Sequence, residues 1–369
     1  MQALHSPGFL ARLTETWFHR PSTPTRVVMD LTRRCNLRCE MCNTWRIEPA
    51  HELDPGEIRR VLGRLPRLTW LDLTGGEPFL RADIAEVFDA VLDAAPALRV
   101  LHFPTNGWFG ERTVEVARQV RRRRPEVALI ITVSVDGPRD VHDCLRGRAG
   151  SFDRALATYR ALKAIEGVET YIGTTVTASS EATLPALGQA LRDELPGFSP
   201  SSWHWNWLQI SPHFFANGHL DALPRGDGLV RAHLERRGLP RNLVDLMELV
   251  FLLNLEFYRR GEPSGIVCQA LRSTLFLSPE GDVYPCHVYD RPLGNVLQTD
   301  IQTLWRSDEV KAARGDIERL ACGGCFTPCE AYPALAGAPL STVAQTARRS
   351  LALLDERLKV ALGAPEKVR

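Results

Sequence analysis

Short runs of apolar and β-branched residues recur along the first two thirds of the chain, and longer segments with apolar residues at helical spacing lie between them. Short apolar runs predict strands, and repeats at every third or fourth position predict amphipathic helices. Six strands are predicted, at residues 26–32, 68–76, 98–107, 127–137, 168–177 and 203–210. Strand and helix alternate about every 30 to 40 residues, which is typical of a parallel sheet covered by helices.

The number of strands limits the architecture. Six strand–helix units are fewer than the eight of a closed barrel, so the sequence predicts an α/β protein built on an open, partial (β/α)6 TIM-like barrel. Such barrels carry their chemistry at the C-terminal ends of the strands. Polar and glycine-rich segments follow four of the predicted strands, at residues 33–43, 74–78, 105–107 and 134–137. We therefore expect the functional site at this edge.

The pattern changes after residue 225, where two helical segments follow each other without a strand between them. A hairpin with its turn at Pro279–Gly281 comes next and begins a small C-terminal domain that contains clustered cysteines. The predicted organisation has five parts: an N-terminal helix and linker (1–25), the partial barrel (26–225), a helical linker (226–262), the small cysteine-containing domain (263–335) and a C-terminal helix (336–369).

Composition narrows the function classes. Among 369 residues the net charge is +1, which gives no general attraction to nucleic acid or to anionic lipid. No segment approaches the roughly 20 apolar residues that cross a bilayer, and the first residues do not form a signal peptide. Nine cysteines cannot all pair, so we expect a cytoplasmic protein with reduced thiols rather than a disulfide framework. Cys144 is expected to be a packed core thiol.

Three cysteines, Cys35, Cys39 and Cys42, lie within eight residues on the loop after the first predicted strand. Thiolates at such spacing are soft ligands that select zinc or iron-sulfur clusters. A structural zinc site takes four ligands in a closed tetrahedron. A [4Fe-4S] cluster held by three thiolates keeps one iron with an open position, where a small molecule can bind.

The Cys-x3-Cys-x2-Cys spacing resembles the signature of the radical S-adenosylmethionine (radical SAM) superfamily. The resemblance continues through "TGGEP" (74–78), "TNG" (105–107), "SVDG" (134–137) and "HDCLRGRAGSFDRAL" (142–156), and it covers residues 26 to about 210. It implies that the open iron binds SAM and that one electron, from a flavodoxin- or ferredoxin-type donor, cleaves SAM reductively. The resulting 5′-deoxyadenosyl radical would then abstract a hydrogen atom from the substrate.

The resemblance also implies a set of SAM-binding residues. Gly75 and Gly76 would let the backbone approach the methionyl group, and Glu77, before Pro78, would bind its ammonium group. Four further candidates for the ribose and carboxylate, for which capping or turn roles remain open, are Asn106, Ser134, Asp136 and Arg146. Met41 stands where the family usually has an aromatic residue against the adenine, and its thioether can pack on a purine.

The second cysteine group consists of Cys268, Cys286, Cys322, Cys325 and Cys329. Its spacing resembles the auxiliary-cluster domain of radical SAM enzymes, called SPASM in its full form and twitch in its short form. The full form has seven cysteines and two auxiliary clusters. Five cysteines are enough for one auxiliary [4Fe-4S] cluster and one spare thiol, so the sequence favours the short, twitch-like form. Either Cys329 replaces one of its two neighbours as a ligand or it is free. A zinc ribbon is the alternative, because paired cysteines on a hairpin and a knuckle also suit tetrahedral zinc.

An auxiliary cluster with four protein ligands can only accept or pass an electron, which favours oxidation or cross-linking of a peptide or small metabolite. His287 and Tyr289, just after Cys286, are candidate bases for the accompanying deprotonation, with ordinary hydrogen bonding near the cluster as the alternative. Two other functions remain open. One is a redox-neutral epimerase or isomerase in which a thiol such as Cys329 returns a hydrogen atom, and the other is a zinc-stabilised binding protein.

The last predicted strand contains the run Trp203–Trp207, in which tryptophans alternate with His204 and Asn206. Because successive side chains of a strand point to opposite faces, only one of these two sets can face the barrel interior. Core packing is the expected role of the tryptophans.

Overall fold

A computed structural model describes residues 21–220, 228–237, 240, 243–259, 267–319, 325–337 and five positions between 344 and 351. Residues 1–20 of the predicted N-terminal helix and linker (1–25), and most of the predicted C-terminal helix (336–369), lie outside the described residues. The five-part division of the chain stays a prediction. No helix among the described residues is long and apolar enough to cross a membrane.

A single sheet forms the centre of the fold. Its eight strands are β1 (Arg26–Asp30), β2 (Trp70–Thr74), β3 (Val100–Thr105), β4 (Ala128–Ser134), β5 (Val168–Val176), β6 (Trp203–Trp207), β7 (Thr274–Leu277) and β8 (Val283–Tyr284). The spatial order is β6-β5-β4-β3-β2-β1-β7-β8, and every neighbouring pair except β7 and β8 is parallel. The six predicted strands and the unclosed α/β sheet of a partial barrel are confirmed.

Eleven α-helices are described. They are α1 (Pro55–Gly63), α2 (Ile84–Ala94), α3 (Gly110–Arg123), α4 (Arg139–Leu145), α5 (Ser151–Lys163), α6 (Leu184–Glu194), α7 (Leu229–Arg237), α8 (Leu243–Arg259), α9 (Ile301–Arg306), α10 (Asp308–Glu318) and α11 (Pro328–Gly337). The first six lie between successive strands, one in each connection except that from β4 to β5, which contains both α4 and α5. The general alternation of strand and helix agrees with the apolar periodicity. The two predicted helices without a strand between them are α7 and α8.

The sheet has two chemically different faces. One face contributes aliphatic side chains to the main core, including Met29, Leu71, Leu101 and Ile131, which pack under the helices. The opposite face, which we call the inner face, carries polar side chains: Arg26, Asp72, His102, Thr132, Tyr171 and His204. This alternation follows from the two-residue period of a strand.

The run of tryptophans on β6 divides as the strand period requires. Trp203, Trp205 and Trp207 are buried in the main core on the helix-covered face. His204 lies on the inner face, where its ring stacks on that of Tyr171 with a centroid distance of 4.2 Å. The packing role expected for the tryptophans is therefore confirmed.

The C-terminal hairpin extends the same sheet. Strand β7 pairs in parallel with β1, with Arg26 opposite Thr274 and Val28 opposite Phe276. The turn at Pro279–Gly281 then leads to the antiparallel strand β8. The sequence predicts the hairpin, but not that it completes the outer edge of β1.

The expectation that Cys144 is a packed core thiol is wrong. Its side chain is exposed on α4, whereas its neighbours His142 and Leu145 are buried. A short helix buries only one face, and Cys144 lies on the other. It is therefore a surface thiol and not a core thiol.

Candidate active site

The first cysteine loop leaves β1 at the C-terminal edge of the sheet and is fixed there by main-chain hydrogen bonds. Arg38 N–H donates to the carbonyl of Arg146 over 3.0 Å, and Glu40 N–H donates to that of Leu145 over 2.8 Å. The loop therefore pairs with the C-terminal end of α4. Backbone pairing of this kind holds the loop without using the thiols, which stay available as ligands.

The three thiols of this loop, Cys35, Cys39 and Cys42, are each partly buried. Burial raises the pKa of Cys35 to about 12, and the thiols of Cys39 and Cys42 contribute to the increase. Burial also raises the pKa of Cys39, while the Arg146 charge opposes it. Without a metal, the thiols of Cys35 and Cys39 stay protonated at neutral pH, so a bound metal centre would replace these protons.

Two polar side chains reach the sulfur atoms. Arg146 Nη1 lies 3.8 Å from Cys39 Sγ, and Asn106 Nδ2 lies 4.0 Å from Cys35 Sγ. Such donors stabilise negative charge on a thiolate or on a cluster sulfur. Within the described residues, no three His, Cys, Asp or Glu side chains gather closely enough to hold a single metal ion. Three thiols on one loop with donors at two sulfurs fit an iron-sulfur cluster.

Asp136 and Arg146 form a buried ion pair beside this loop. Arg146 Nε donates to Asp136 Oδ2 over 2.6 Å, while Asp136 Oδ1 accepts from the backbone N–H of Thr175 over 2.8 Å. The carboxylate therefore ties the end of β4 to β5 and holds the guanidinium toward Cys39. The structure brings these two predicted site residues together.

Gly75 and Gly76 lie against the backbone that leads into the cysteine loop. A Cβ on Gly75, whose φ is +149°, would stand 2.5 Å from the carbonyl oxygen of Thr32. A Cβ on Gly76 would stand 2.3 Å from that of Arg34. Only glycine permits this approach. The described contact is thus with the cysteine loop, while contact of these glycines with SAM stays a prediction.

A side chain at position 76 is expected to displace the cysteine loop. Gly76→Ala should lower iron incorporation at the first site and reduce reductive SAM cleavage by about 100-fold, because a shift near 1 Å can have such an effect. Iron content, and 5′-deoxyadenosine formed under dithionite, measure both. Gly63→Ala on α1, where a Cβ meets nothing within 4 Å, is the control. Normal iron content in Gly76→Ala would show that the loop tolerates the crowding.

Glu77 is fully buried and ties two strand-end loops together. Its Oε1 accepts from Thr105 Oγ1 at 3.0 Å and from the backbone N–H of Phe79 at 3.3 Å, and its Oε2 accepts from the backbone N–H of Asn106 at 2.8 Å. Burial raises the pKa of Glu77 to about 7, and these donors oppose the increase. The described role is to position Asn106, and ammonium binding stays a prediction.

Replacing this carboxylate by an amide is expected to destabilise the protein. In Glu77→Gln one oxygen becomes an NH2 group facing existing donors, which costs about 2 kcal/mol for the unsatisfied group. Chemical denaturation of the metal-free protein measures the change, and Glu115→Gln, an exposed position on α3, is the control. Equal stability of Glu77→Gln and the wild type would contradict the bridging role.

The remaining SAM candidates lie at the same edge. Met41 is buried in a small apolar cluster with Leu145 and Leu208, against which Cys39 and Cys42 also pack. Ser134 is the last residue of β4, and Pro78 begins a single 3-10 turn. These positions agree with the strand-end placement expected from the sequence, and their contacts with SAM stay predictions.

A segment after β6, residues 211–217, supports the cysteine loop from the other side. Asn217 Nδ2 donates to the carbonyl of Met41 over 3.0 Å, and the backbone N–H of Asn43 donates to the carbonyl of Phe215 over 2.7 Å. Sequence reasoning missed this support, because the residues carry no motif and are more than 170 positions from the loop.

The same segment also reaches the second cysteine region. Ser211 Oγ donates to the carbonyl of His287, next to Cys286. The hairpin turn makes a second link, because Arg33 Nε lies 3.1 Å from Glu280 Oε1. The two cysteine regions are therefore joined through direct contacts of the chain, which local sequence patterns cannot indicate.

The second cysteine region is described in part, because Cys322 lies outside the described residues. Cys286 is buried and Cys325 is half-buried, and both burial and the neighbouring Cys325 raise the pKa of Cys286. Cys329 has different neighbours. Burial raises its pKa to about 12, and the charges that act on it most are those of Arg26 and Asp72 on the inner face.

The two candidate bases have distinct surroundings. The His287 ring is buried, and its Nδ1 lies 3.8 Å from Glu330 Oε1 without a hydrogen bond. Tyr289 donates its backbone N–H to Cys286 Sγ over 3.3 Å, and its hydroxyl lies 3.4 Å from Asp316 on α10. The backbone of Tyr289 thus contacts Cys286 directly. The catalytic roles of His287 and Tyr289 stay predictions.

Comparison with known proteins identifies both regions. Residues 29–179 match the model of the radical SAM superfamily, and residues 268–326 match that of SPASM, an iron-sulfur cluster-binding domain. The mycofactocin maturase MftC of Mycobacterium tuberculosis is 27% identical over 85% of this chain and 78% of its own length. The subtilosin biosynthesis protein AlbA of Bacillus subtilis is 23% identical over 82% of this chain and 67% of its own length.

A third relative, the pre-heme d1 synthase of Dinoroseobacter shibae, is 34% identical over 47% of this chain, and the match spans 42% of the relative. Among solved structures, SuiB of Streptococcus suis bound to S-adenosylmethionine gives a TM-score of 0.56 at 16% identity, covering 79% of this chain and 68% of SuiB. The structure of native anSMEcpe with bound AdoMet gives a TM-score of 0.53 at 14% identity, covering 88% of this chain and 99% of anSMEcpe. Both share the fold described above.

Proposed function

Because the chain belongs to the radical SAM superfamily and carries an SPASM iron-sulfur domain, we propose that it oxidises or cross-links a peptide or small metabolite. Its cofactors are SAM and iron-sulfur clusters. When bound, the cluster with an open iron and SAM together supply a 5′-deoxyadenosyl radical, which abstracts a hydrogen atom from substrate. An acidic electron carrier of the flavodoxin or ferredoxin type is the proposed donor.

The first cluster is assigned to Cys35, Cys39 and Cys42. The observation that carries this assignment is the loop itself, which is held by main-chain bonds to α4 while Arg146 and Asn106 approach two of its sulfurs. These side chains donate toward sulfur and orient the ligands.

The auxiliary cluster is assigned to the second cysteine region, with Cys268, Cys286, Cys322 and Cys325 as ligands. The proximity of Cys286 and Cys325 and the extent of the SPASM match, which ends at residue 326, support this set. Cys329 lies beyond the match. Four protein thiolates leave no open iron, so the proposed work of this cluster is to accept the electron that substrate oxidation releases.

A peptide is the favoured substrate class. Two relatives that cover most of this chain are named for the biosynthesis of a bacteriocin and for the maturation of mycofactocin, and SuiB is solved with a precursor peptide. Other relatives are heme synthases, so a small metabolite is the competing class. His287 remains the proposed base, since its unpaired Nδ1 is available to accept a proton.

The test is metal and product analysis of anaerobically reconstituted protein. We expect about eight irons with matching sulfide, since two cubane clusters hold four each, and formation of 5′-deoxyadenosine under dithionite. Stoichiometric zinc without sulfide would overturn the proposal in favour of a zinc-stabilised binding protein.

A redox-neutral epimerase or isomerase is the second candidate function. The location of the Cys329 thiol, on which charges of the inner face act, favours it. The half-buried thiol of Cys329, on which the charges of Arg26 and Asp72 act, would return a hydrogen atom: its S–H bond breaks, a substrate C–H bond forms, and the resulting thiyl is reduced by an electron and a proton from the donor system. Turnover in heavy water separates the two reactions. Deuterium at the reacting carbon indicates return from a thiol, and its absence indicates oxidation.

A further inference from the structure

A buried carboxylate that forms no ion pair with a lysine or arginine among the described residues lies beside the inner face of the sheet. Glu248 on α8 is fully buried. Tyr332 on α11 donates its hydroxyl to Glu248 Oε2. His204 Nδ1, on β6, lies 4.0 Å from the same oxygen, and the His204 ring stacks on Tyr171. Four elements of the fold thus place these side chains together.

Several polar atoms in this group have no hydrogen-bond partner among the described residues. They are Glu248 Oε1, His204 Nε2 and Asn206 Oδ1. Asn206 lies two residues after His204 on β6 and therefore faces the same side of the strand. Leaving a buried polar atom unsatisfied costs about 1–3 kcal/mol, so such atoms are rare in folded proteins and each calls for an explanation. Three of them on the same side of β6 indicate a site that a ligand completes.

The charges around Glu248 compensate its carboxylate only in part. Burial lowers the pKa of His204 well below its usual value, so this histidine is neutral at pH 7. Arg237 on α7 acts on Glu248 only at longer range, since its guanidinium donates to the carbonyls of Pro200, Ser201 and Trp203. Burial raises the pKa of Glu248 to about 7, against the opposing effects of Arg237, the Tyr332 hydroxyl and the backbone N–H of Trp205.

Asp72, another buried carboxylate on the inner face, shows the contrast. Asp72 accepts from Arg26 Nε over 2.8 Å and from His102 Nδ1 over 2.9 Å, and His102 Nε2 in turn contacts Thr132 Oγ1. These partners hold the pKa of Asp72 below its usual value in spite of burial. The protein therefore supplies a hydrogen-bonded cation for Asp72, whereas Arg237, the cation that acts on Glu248, is bonded elsewhere and lies 3.9 Å from Asp245 Oδ1.

We infer that Glu248, with His204 and Tyr332, is the recognition subsite for a cationic nitrogen of the substrate, an ammonium or guanidinium group. A cation there donates to Glu248 Oε1 and neutralises the buried carboxylate, while the Tyr332 hydroxyl keeps Oε2 in place. The inference deepens the proposed function, on which it rests for the presence of a substrate on the inner face. The substrate class becomes a peptide or metabolite with a basic side group.

Binding is tested without turnover, on the full-length reconstituted protein. The probes are 4-fluorobenzylammonium and its neutral analogue 4-fluorobenzyl alcohol, titrated by fluorine NMR. Glu248→Gln keeps the side-chain shape and removes the charge. The control is Glu166→Gln, which removes a carboxylate from an exposed position. Iron content and circular dichroism establish that each variant is folded.

The wild type is expected to bind the ammonium probe at least about tenfold more tightly than the alcohol, which corresponds to about 1.4 kcal/mol. Glu248→Gln should bind both equally, and Glu166→Gln should match the wild type. Equal binding of the two probes by the wild type, or an unchanged preference in Glu248→Gln, would overturn the inference.

A second variant covers the case in which Glu248→Gln does not fold. Tyr332→Phe leaves the carboxylate with one donor fewer, so it should keep or increase the preference for ammonium, and loss of preference would contradict the inference. Dithionite-driven SAM cleavage in the same samples reports on the proposed function separately. The hydrogen bond of Glu248 goes to Tyr332 on α11 and not to the cysteine loop, so SAM cleavage should persist in every folded variant.

Discussion

Replacing Cys35, Cys39 and Cys42 together with alanine is expected to abolish reductive SAM cleavage and to remove about four of about eight irons. The open iron of the first cluster is the only proposed place where SAM binds a metal. The main-chain bonds from Arg38 and Glu40 to α4 do not involve the thiols, so the loop should keep its path without them. Iron, sulfide and 5′-deoxyadenosine are measured on the anaerobically reconstituted variant.

The matched control for this change is Cys144→Ala. Its thiol is exposed on α4, so removing it changes the cysteine count without changing a proposed ligand or the core. This variant should retain full iron and full SAM cleavage. If the triple variant still formed 5′-deoxyadenosine at the wild-type rate, the assignment of the first cluster to this loop would be wrong.

Replacing Cys268 and Cys286 with alanine is expected to leave SAM cleavage in place and to abolish product formation. The second cluster, with four protein thiolates, has no open iron for SAM, but the proposed oxidation needs it to accept an electron. About four irons should remain. The measurements are 5′-deoxyadenosine under dithionite and product formation with a substrate, for which a precursor peptide encoded beside the gene is the first choice.

Folding must be established before this variant is interpreted, because metal binding also stabilises small domains. The contacts of Ser211 with His287 and of Arg33 with Glu280 make this necessary, since collapse of the second region could disturb the first loop. A soluble variant with four irons that cannot cleave SAM contradicts the division of labour. One that still forms product leaves the auxiliary cluster with a structural role.

The sequence predicts most of the barrel because its signals are local. The runs that become β1 to β6 are apolar and β-branched, and each is bounded by turn residues, so tertiary contacts only confirm what local preference already favours. The pairing of β7 with β1 is different. It depends on which strand edge is left uncovered in the assembled sheet, and a hairpin sequence does not contain that information.

The same distinction applies to the site. Cys35, Gly76 and Glu77 belong to short motifs and are found from spacing alone. Glu248 and Tyr332 belong to helices with no motif, and their importance appears only when α8 and α11 bring them to the inner face. The prediction that Cys144 packs in the core is wrong, because its seven-residue helix is too short for the apolar periodicity to identify the buried side.

The position of β7 has a consequence for synthesis on the ribosome. Thr25 and Ser273, which are hydrogen-bonded at the start of this strand pair, are 248 residues apart. At about 5–20 residues per second, the outer edge of β1 waits about 12 to 50 s after its own emergence for its partner. Until then its backbone N–H and C=O groups are exposed to other nascent chains. A gene truncated after the partial barrel would make that exposure permanent, so removal of the small domain is expected to promote aggregation through the edge of β1.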